Sequence, residues 1–224
     1  MPASTAETVI LTARALLLDM DGTLVDSGAA VERVWRAWAA EQGLDGDRVL
    51  EVVHGRQGFA SMAILLPERP MEINHAENAR MLAQETADTE GVVPIGGAPA
   101  FLTSLAGLPH ALVTSADDAL ARARMGAAGL PVPAVAVTAE HVTRSKPDPE
   151  GFLLGAKLLG IDPADCVVLE DSEAGTQAGL AAGMQVIGIG PATTSYGATV
   201  SVRDLTQLQV TTSDSGTITL TVTP

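Results

Sequence analysis

The sequence predicts an α/β protein, a Rossmann-like parallel sheet flanked by helices, with an inserted all-helical cap domain and a C-terminal antiparallel β extension. Three observations carry this expectation. Short unbroken apolar runs, among them Ala15 to Leu18 and Val167 to Leu169, alternate with Ala-rich helical stretches, as in a parallel sheet covered on both faces. That alternation lapses between residues 27 and 91, where the pattern is helical only. After Pro191 the chain turns rich in Thr and Val.

The first core strand is expected over residues 15–19, because Ala15 to Leu18 is too short for a helix and too continuous for a half-exposed strand. It runs into Asp19-Met20-Asp21-Gly22-Thr23, two carboxylates one residue apart followed by a glycine that allows a sharp turn. Alternation along a strand sends Asp19 and Asp21 to the same side, into the crevice at the carboxyl end where open α/β sheets bind ligands. Two such carboxylates repel unless a cation or a shared proton relieves them. Asp-x-Asp also occurs in calcium loops and ordinary turns, but there the apolar run before it is missing.

Ser27 can cap a helix that presents Val31, Val34, Trp35 and Trp38 on one face, and Met71 to Ala87 reads as a second amphipathic helix. The block rejoins the sheet pattern through Gly91-Val92-Val93-Pro94-Ile95-Gly96-Gly97. An all-helical block between two such connections reads as a lid on two hinges, the plain alternative being a helical embellishment. The expected domains are 1–25 with 93–224 as the α/β core and 26–92 as the helical cap.

Further strands are expected at 110–114, 134–137, 166–169 and 185–189, and three of the following loops carry candidate chemistry. Thr114 and Ser115 end one strand, and Asp117-Asp118 open a helix over 118–128; hydroxyls and backbone N–H groups there can hold phosphate oxygens, or can simply cap the helix. In Ser145-Lys146-Pro147-Asp148-Pro149 two prolines fix the backbone around a lysine, and Asp148 can cap the next helix. Val168-Leu169-Glu170-Asp171 is again a buried strand ending in two acids, which can bind a cation or only cap; Gly175, Gly179 and Gly183 are expected to let the next helix pack closely. At the end of the chain, Gln207 to Thr212 and Thr217 to Val222 flank Ser213-Asp214-Ser215-Gly216 as a hairpin, with Thr8 to Thr12 as its antiparallel partner.

Composition narrows the function. The 224 residues suit one or two compact domains, and a formal charge of −14 argues against a nucleic-acid or anionic-membrane surface. The single cysteine, Cys166, lies in an apolar run and reads as a small buried hydrophobe in a reducing compartment. No segment resembles a signal peptide or approaches a membrane span, so a cytoplasmic protein is expected, a monomer with a homodimer as the alternative.

Taken together, the four strand ends resemble the haloacid dehalogenase-like superfamily of phosphotransferases over about residues 13 to 192. The helical block resembles the small cap of the subgroup containing phosphoglycolate phosphatase, beta-phosphoglucomutase and the sugar and glycerol phosphatases. The resemblance implies a Mg2+-dependent phosphatase that works through an aspartyl-phosphate, with no redox or nucleotide cofactor. Asp19 would be the nucleophile and Asp21 the acid and base, with Lys146 and Ser115 holding the transferring oxygens. Mg2+ would sit on Asp19, the Asp21 backbone carbonyl and Asp171, with Glu170 nearby; Thr23, Thr114 and Ala116 would help to bind the phosphate.

The cap departs from beta-phosphoglucomutase. Val31 stands one turn before Trp35, where the mutase has a histidine, and Gly58 stands where its cap loop carries an arginine. The stretch Val53-His54-Gly55-Arg56 instead resembles the cap loop of the glycerol-phosphate and 2-deoxyglucose-6-phosphate phosphatases, making His54 and Arg56 candidate substrate contacts or loop-stabilising residues. The expected partner is therefore a small phosphorylated sugar or polyol. A mutase and a non-catalytic phosphate-binding protein on the same fold stand as alternatives.

Overall fold

A computed structural model describes residues 8–214 and 216–223. In chain order the first elements are β1 (Val9–Ala13), β2 (Ala15–Leu18), β3 (Val25–Asp26), α1 (Gly28–Gln42), α2 (Gly46–Val53), α3 (Gly58–Leu65), α4 (Met71–Ala87) and β4 (Val93–Pro94). They are followed by α5 (Ala98–Ser104), β5 (His110–Val113), α6 (Asp118–Ala127), β6 (Val135–Val137), α7 (Glu150–Leu159), β7 (Cys166–Glu170), α8 (Glu173–Ala181), β8 (Gln185–Ile189), β9 (Val200–Val202), β10 (Leu208–Thr212) and β11 (Ile218–Val222).

Six parallel strands form the central sheet in the order β6-β5-β2-β7-β8-β9. β2 is buried on both faces, as its unbroken apolar run requires. Leu16 and Leu18 enter one core with residues of α5 and α6, while Ala15 and Leu17 enter the other with Phe152 and Ala156 of α7 and Ala178 of α8. At about 1.5–3 kcal/mol for each fully buried leucine, these contacts fix the register that the site depends on. That register pairs Leu18 with Leu112 of β5 and with Leu169 of β7. The residues just past those strand ends, Asp19, Thr114 with Ser115, and Asp171, are therefore delivered side by side.

Five core strands match the sequence-based expectation to within a residue at each end, but β9 was not expected. Its three residues, Val-Ser-Val, lie in a stretch of Thr, Ser and Gly and form no apolar run; pairing with β8 decides them. The N-terminal strand and the C-terminal hairpin do join, in the order β1-β11-β10, as a three-stranded antiparallel sheet. Leu11, Ala13, Ile218, Leu220 and Val222 turn into the main core, so this sheet covers the face that also carries α5. Ser215 of the expected turn lies outside the described residues.

The four helices α1 to α4 enclose a core of their own, built on Trp35, Trp38, Val49, Val53, Met62 and Met81, with the two indoles edge-to-face at 5.4 Å. The chain enters this block through β3 and leaves through β4, and the two connections pair as an antiparallel ribbon, Val25 with Pro94 and Asp26 with Val93. α4 has the expected limits, but its buried stripe is mixed rather than apolar: Asn74, Met81 and Glu85. Gly179 packs against Val168 and Val186 as expected, whereas Gly183 (φ +77°) has open space around it and serves the turn after α8. Among the described residues no helix is long and apolar enough to cross a membrane.

Cys166 is 1 % exposed, and burial beside Asp165 and Asp162 pushes its thiol up to about 11. A neutral, inaccessible thiol is a poor nucleophile. Native protein at neutral pH should therefore resist a thiol-alkylating reagent and take up one equivalent only after denaturation; rapid native labelling would contradict this packing.

Candidate active site

The loop after β2 is shaped by its backbone. The amides of Thr23, Leu24 and Val25 all point to the Met20 carbonyl, and Gly22 N–H donates to Val25 O at 2.7 Å. Gly22 has φ +79°, and any side chain there would collide with the Asp171 carboxylate. The glycine thus serves both the turn and the close approach of the two loops. Asp19 and Asp21 accordingly sit on a tight loop rather than on a continued strand, and β2 ends at Leu18.

Asp19 and Lys146 form the centre of the site. Lys146 Nζ donates to Asp19 Oδ1 at 2.5 Å, to Glu170 Oε1 at 2.6 Å and to the Val113 carbonyl at 3.2 Å, and it lies 5.0 Å from the centre of the Phe152 ring. Both partners are nearly fully buried, at 5 % and 7 % exposed. Glu170 is fixed in turn, because its other oxygen accepts from the amide and hydroxyl of Ser172. Gly175 lies so close to Glu170 that any Cβ there would strike its carboxylate.

Asp19, Glu170 and Asp171 each offer a carboxylate oxygen within 4.8 Å of the others. One ammonium does not balance three carboxylates. Burial, opposed by Lys146 and reinforced by Glu170 and Asp21, pushes Asp19 up to about 8. Burial beside Glu170 and Asp19 also raises Asp171 well above its ordinary value. Burial alone would lower the Lys146 ammonium, but Asp19 and Glu170 hold it above its ordinary range. This hard-oxygen, electron-rich donor set fits a divalent cation. Among the described residues Asp171 has no hydrogen bond or ion pair, whereas both oxygens of Glu170 are taken.

Asp21 faces another set of partners. Its Oδ1 accepts from the Ser27 hydroxyl at 2.6 Å and its Oδ2 from Arg124 Nη1 at 2.7 Å. The sequence placed Ser27 as a helix cap; Ser27 does stand at the N-cap position of α1, but its hydroxyl turns to Asp21 and makes no cap hydrogen bond. Each of the paired aspartates has a cationic side chain of its own, Lys146 for the first and Arg124 for the second.

Asp19, Asp21, Ser27, Arg124 and Asp171 border a cavity of about 190 Å³ between the sheet's carboxyl edge and the helical block, whereas Lys146 and Glu170 do not reach it. Ser115, Thr114 and Ala116 line it from the core, and His54, Arg56, Val31 and Gly58 from the helices. The Ser115 hydroxyl donates to the Gly55 carbonyl at 3.0 Å, and Thr114 Oγ1 accepts from Ala116 N–H at 3.1 Å. Desolvation in the cleft lowers His54 below its ordinary value, against the pull of Asp21. Thr23 is fully buried with an unpartnered hydroxyl and does not border the cavity. A side chain at Gly58 would meet Asn78 Oδ1, so Asn78 would have to move to admit one.

Among the polar lining residues that were missed are Arg124, Glu85 and Asn78. Arg124 falls on the buried stripe of α6 with Leu120, Ala121 and Met125, and a charge on an apolar stripe was the available signal. Glu85 Oε1 lies 3.4 Å from Arg124 Nη2, and burial, partly offset by Arg124, pushes this carboxyl up to about 7.

The match to known proteins agrees with this geometry. Residues 13–183 match the family described as haloacid dehalogenase-like hydrolase, and the chain belongs to that family. It is 47% identical to hexitol phosphatase A of Escherichia coli K12 over 79% of this chain and 82% of that protein. It is 32% identical to glycerol-1-phosphate phosphohydrolase 2 of Saccharomyces cerevisiae, over 83% and 78% of the two chains. Among solved structures, a haloacid dehalogenase family hydrolase from Deinococcus radiodurans, with phosphate and sodium bound, superposes with a TM-score of 0.62 at 30% identity, over 85% of this chain and 90% of that one. Phosphatases of this family are generally metal-dependent, in keeping with the acidic cluster.

A metal should act on stability with a definite sign. Without a cation, Asp19 keeps a proton that the unfolded chain releases, so its contribution is full below about pH 4 and is lost as pH rises toward about 8, and Asp171 is shifted in the same direction. A divalent cation offsets that loss. Adding one, magnesium being the ion the sequence suggests, should raise the melting temperature more at about pH 8 than at about pH 6. An equal or smaller rise at the higher pH would contradict this charge arrangement.

Proposed function

We propose that the protein hydrolyses a small sugar or polyol phosphate, with Asp19 as nucleophile and Asp21 as acid and base. The observation that carries this reading is the buried contact of Asp19 with Lys146, beside Asp171 and below the cavity. Phosphoric monoester hydrolysis is also the activity named for the curated relatives reported above.

A phosphate monoester resists attack because its negative charge repels nucleophiles, so the site must supply position, neutralisation and a proton for the leaving oxygen. Lys146 holds Asp19 in one orientation and places a positive charge beside the entering phosphoryl group. Mg2+, held by Asp19, Asp171 and the Asp21 backbone carbonyl with Glu170 behind, would supply further neutralisation of the phosphoryl oxygens. Ser115, with Thr114 and the Asp21 backbone amide, would take the remaining oxygens, the Ser115 hydroxyl exchanging the Gly55 carbonyl for phosphate, while the Gly22 and Thr23 amides stay committed within the turn. Asp19 then forms the P–O bond of an aspartyl-phosphate as the ester P–O bond breaks.

Asp21 gives its proton to the leaving alkoxide and afterwards takes one from the water that attacks phosphorus. Arg124 has no acceptor and can only donate, whereas the Ser27 hydroxyl can donate to an ionised carboxylate or accept from a protonated one. Oδ1, facing Ser27, is therefore the oxygen suited to carry the proton.

The helices α1 to α4 would act as a lid on the β3–β4 ribbon, residues 26–92 moving against 1–25 and 93–224. His54, Arg56 and Asn78 border the cavity from that side and offer polar groups to a polyol chain. Val31 and Gly58 leave no proton carrier and no second anion clamp where the mutase has them, and neither the mutase nor the non-catalytic reading is favoured.

A phosphate-release screen over glycerol, polyol, pentose, hexose and glycolate phosphates, with chelator controls, tests the assignment. Turnover of polyol or sugar esters with magnesium is expected; no release from any ester would refute it, as would conversion of a hexose 1-phosphate to its isomer without release of phosphate. Asp19→Asn should cut turnover by roughly 10³-fold or more while the protein stays folded. Asp21→Asn should lose about 10²–10⁴-fold on alkyl esters and much less on an aryl phosphate, whose leaving oxygen hardly needs a proton. Near-normal activity of the first, or equal losses on both esters for the second, would contradict the roles assigned.

A further inference from the structure

Arg124 is 4 % exposed and stands on the apolar stripe of α6, where a leucine would pack at no electrostatic cost. Burying a guanidinium costs several kcal/mol unless its partners repay the lost hydration, so stability alone is a weak reason for it. Its contacts point elsewhere. Nη1 donates to Asp21 Oδ2 at 2.7 Å, across 103 positions of sequence, and Nη2 lies 3.4 Å from Glu85 on α4. The guanidinium thus lies between the loop after β2 and the helical block, hydrogen-bonded through Nη1 to Asp21, while its Nε and Nη2 have no hydrogen-bond partner among the described residues.

The charge balance gives the same indication. Asp19, Asp21, Glu170 and Asp171 crowd one end of the sheet, and Lys146 is committed to Asp19 and Glu170. Without Arg124 the Asp21 carboxylate would keep only the Ser27 hydroxyl and would face the repulsion of its neighbours. With both donors in place each of its oxygens has one partner, which fixes the plane of the carboxyl group.

We infer that Arg124 is the positioning residue of Asp21, holding its carboxylate at the leaving-group side of the cavity, with Glu85 of α4 as a charge 3.4 Å from the far side of the guanidinium. This rests on the reading of Asp21 as acid and base. Arg124 acts through Asp21 and not on the phosphoryl group. Its removal should therefore cost most where the leaving oxygen needs a proton, and substrate binding should change little.

The test compares Asp21→Asn, Arg124→Met and Arg124→Lys on sorbitol 6-phosphate and on 4-nitrophenyl phosphate, with thermal melting of each variant. Arg124→Met should lower kcat on the sorbitol ester by roughly 30- to 100-fold, part of the range for general acid catalysis, and by less than about fivefold on the aryl ester, with KM little changed on both. Arg124→Lys keeps a donor and a charge at the site, so it remains informative should the methionine variant fail to fold; it should show the same ester-dependent loss reduced to several-fold. Equal losses on the two esters, or a change confined to KM, would overturn the proposal and leave Arg124 as a structural or substrate-contacting residue. If Asp21→Asn shows the ester dependence and the Arg124 variants do not, only the positioning role falls. Should Asp21→Asn also lack it, the acid assignment falls first and this inference with it.

Discussion

Everything in the site depends on one buried ion pair, Lys146 with Asp19, and on the strand register that brings it about. Lys146 is 127 residues from Asp19 in sequence, yet its ammonium reaches Asp19, Glu170 and the Val113 carbonyl together. Those three groups lie at or just past the ends of neighbouring strands of one sheet, β2, β7 and β5, aligned by parallel pairing of Leu18 with Leu112 and Leu169. The apolar runs that make β2 a central strand therefore also determine which carboxylates meet which cation. A slip of one residue would turn Leu16 and Leu18 to the opposite face and dismantle the site.

Much of this was legible in the sequence because chemistry sits directly after apolar runs. Asp19, Ser115 and Asp171 each follow a buried strand, and Lys146 lies in a loop held by two prolines, so the constellation could be named before its geometry was known. α4 was legible to the residue, and the β1-β11-β10 sheet nearly so, since Thr alternates with Ile, Leu and Val in its last strand after a short turn.

What escaped depends on long-range contacts. β9 is three residues without an apolar run and exists through its pairing with β8. Ser27 looked like a helix cap because a hydroxyl before a helix usually is one; only the fold shows Asp21 within 2.6 Å of it. Arg124 is a charge on the apolar stripe of α6 and Glu85 one on the stripe of α4, but that each faces the other over the cavity shows only when α4 and α6 are laid together. Local patterning reports which residues are turned inward, but not which inward charges find each other.

The chemistry divides accordingly between two neutralised carboxylates. Asp19 is tied to the core by Lys146, whereas Asp21 is tied to the boundary of the helical block by Ser27 and Arg124. The central claim is that the Lys146-bound carboxylate carries the phosphoryl group. Acid quenching during turnover, reduction with borohydride and peptide mass analysis test it directly, because borohydride converts an aspartyl-phosphate to homoserine. Homoserine at position 19, formed only when substrate is present, is the predicted result; its absence there under conditions where phosphate is being released, or its appearance at another aspartate, would contradict it.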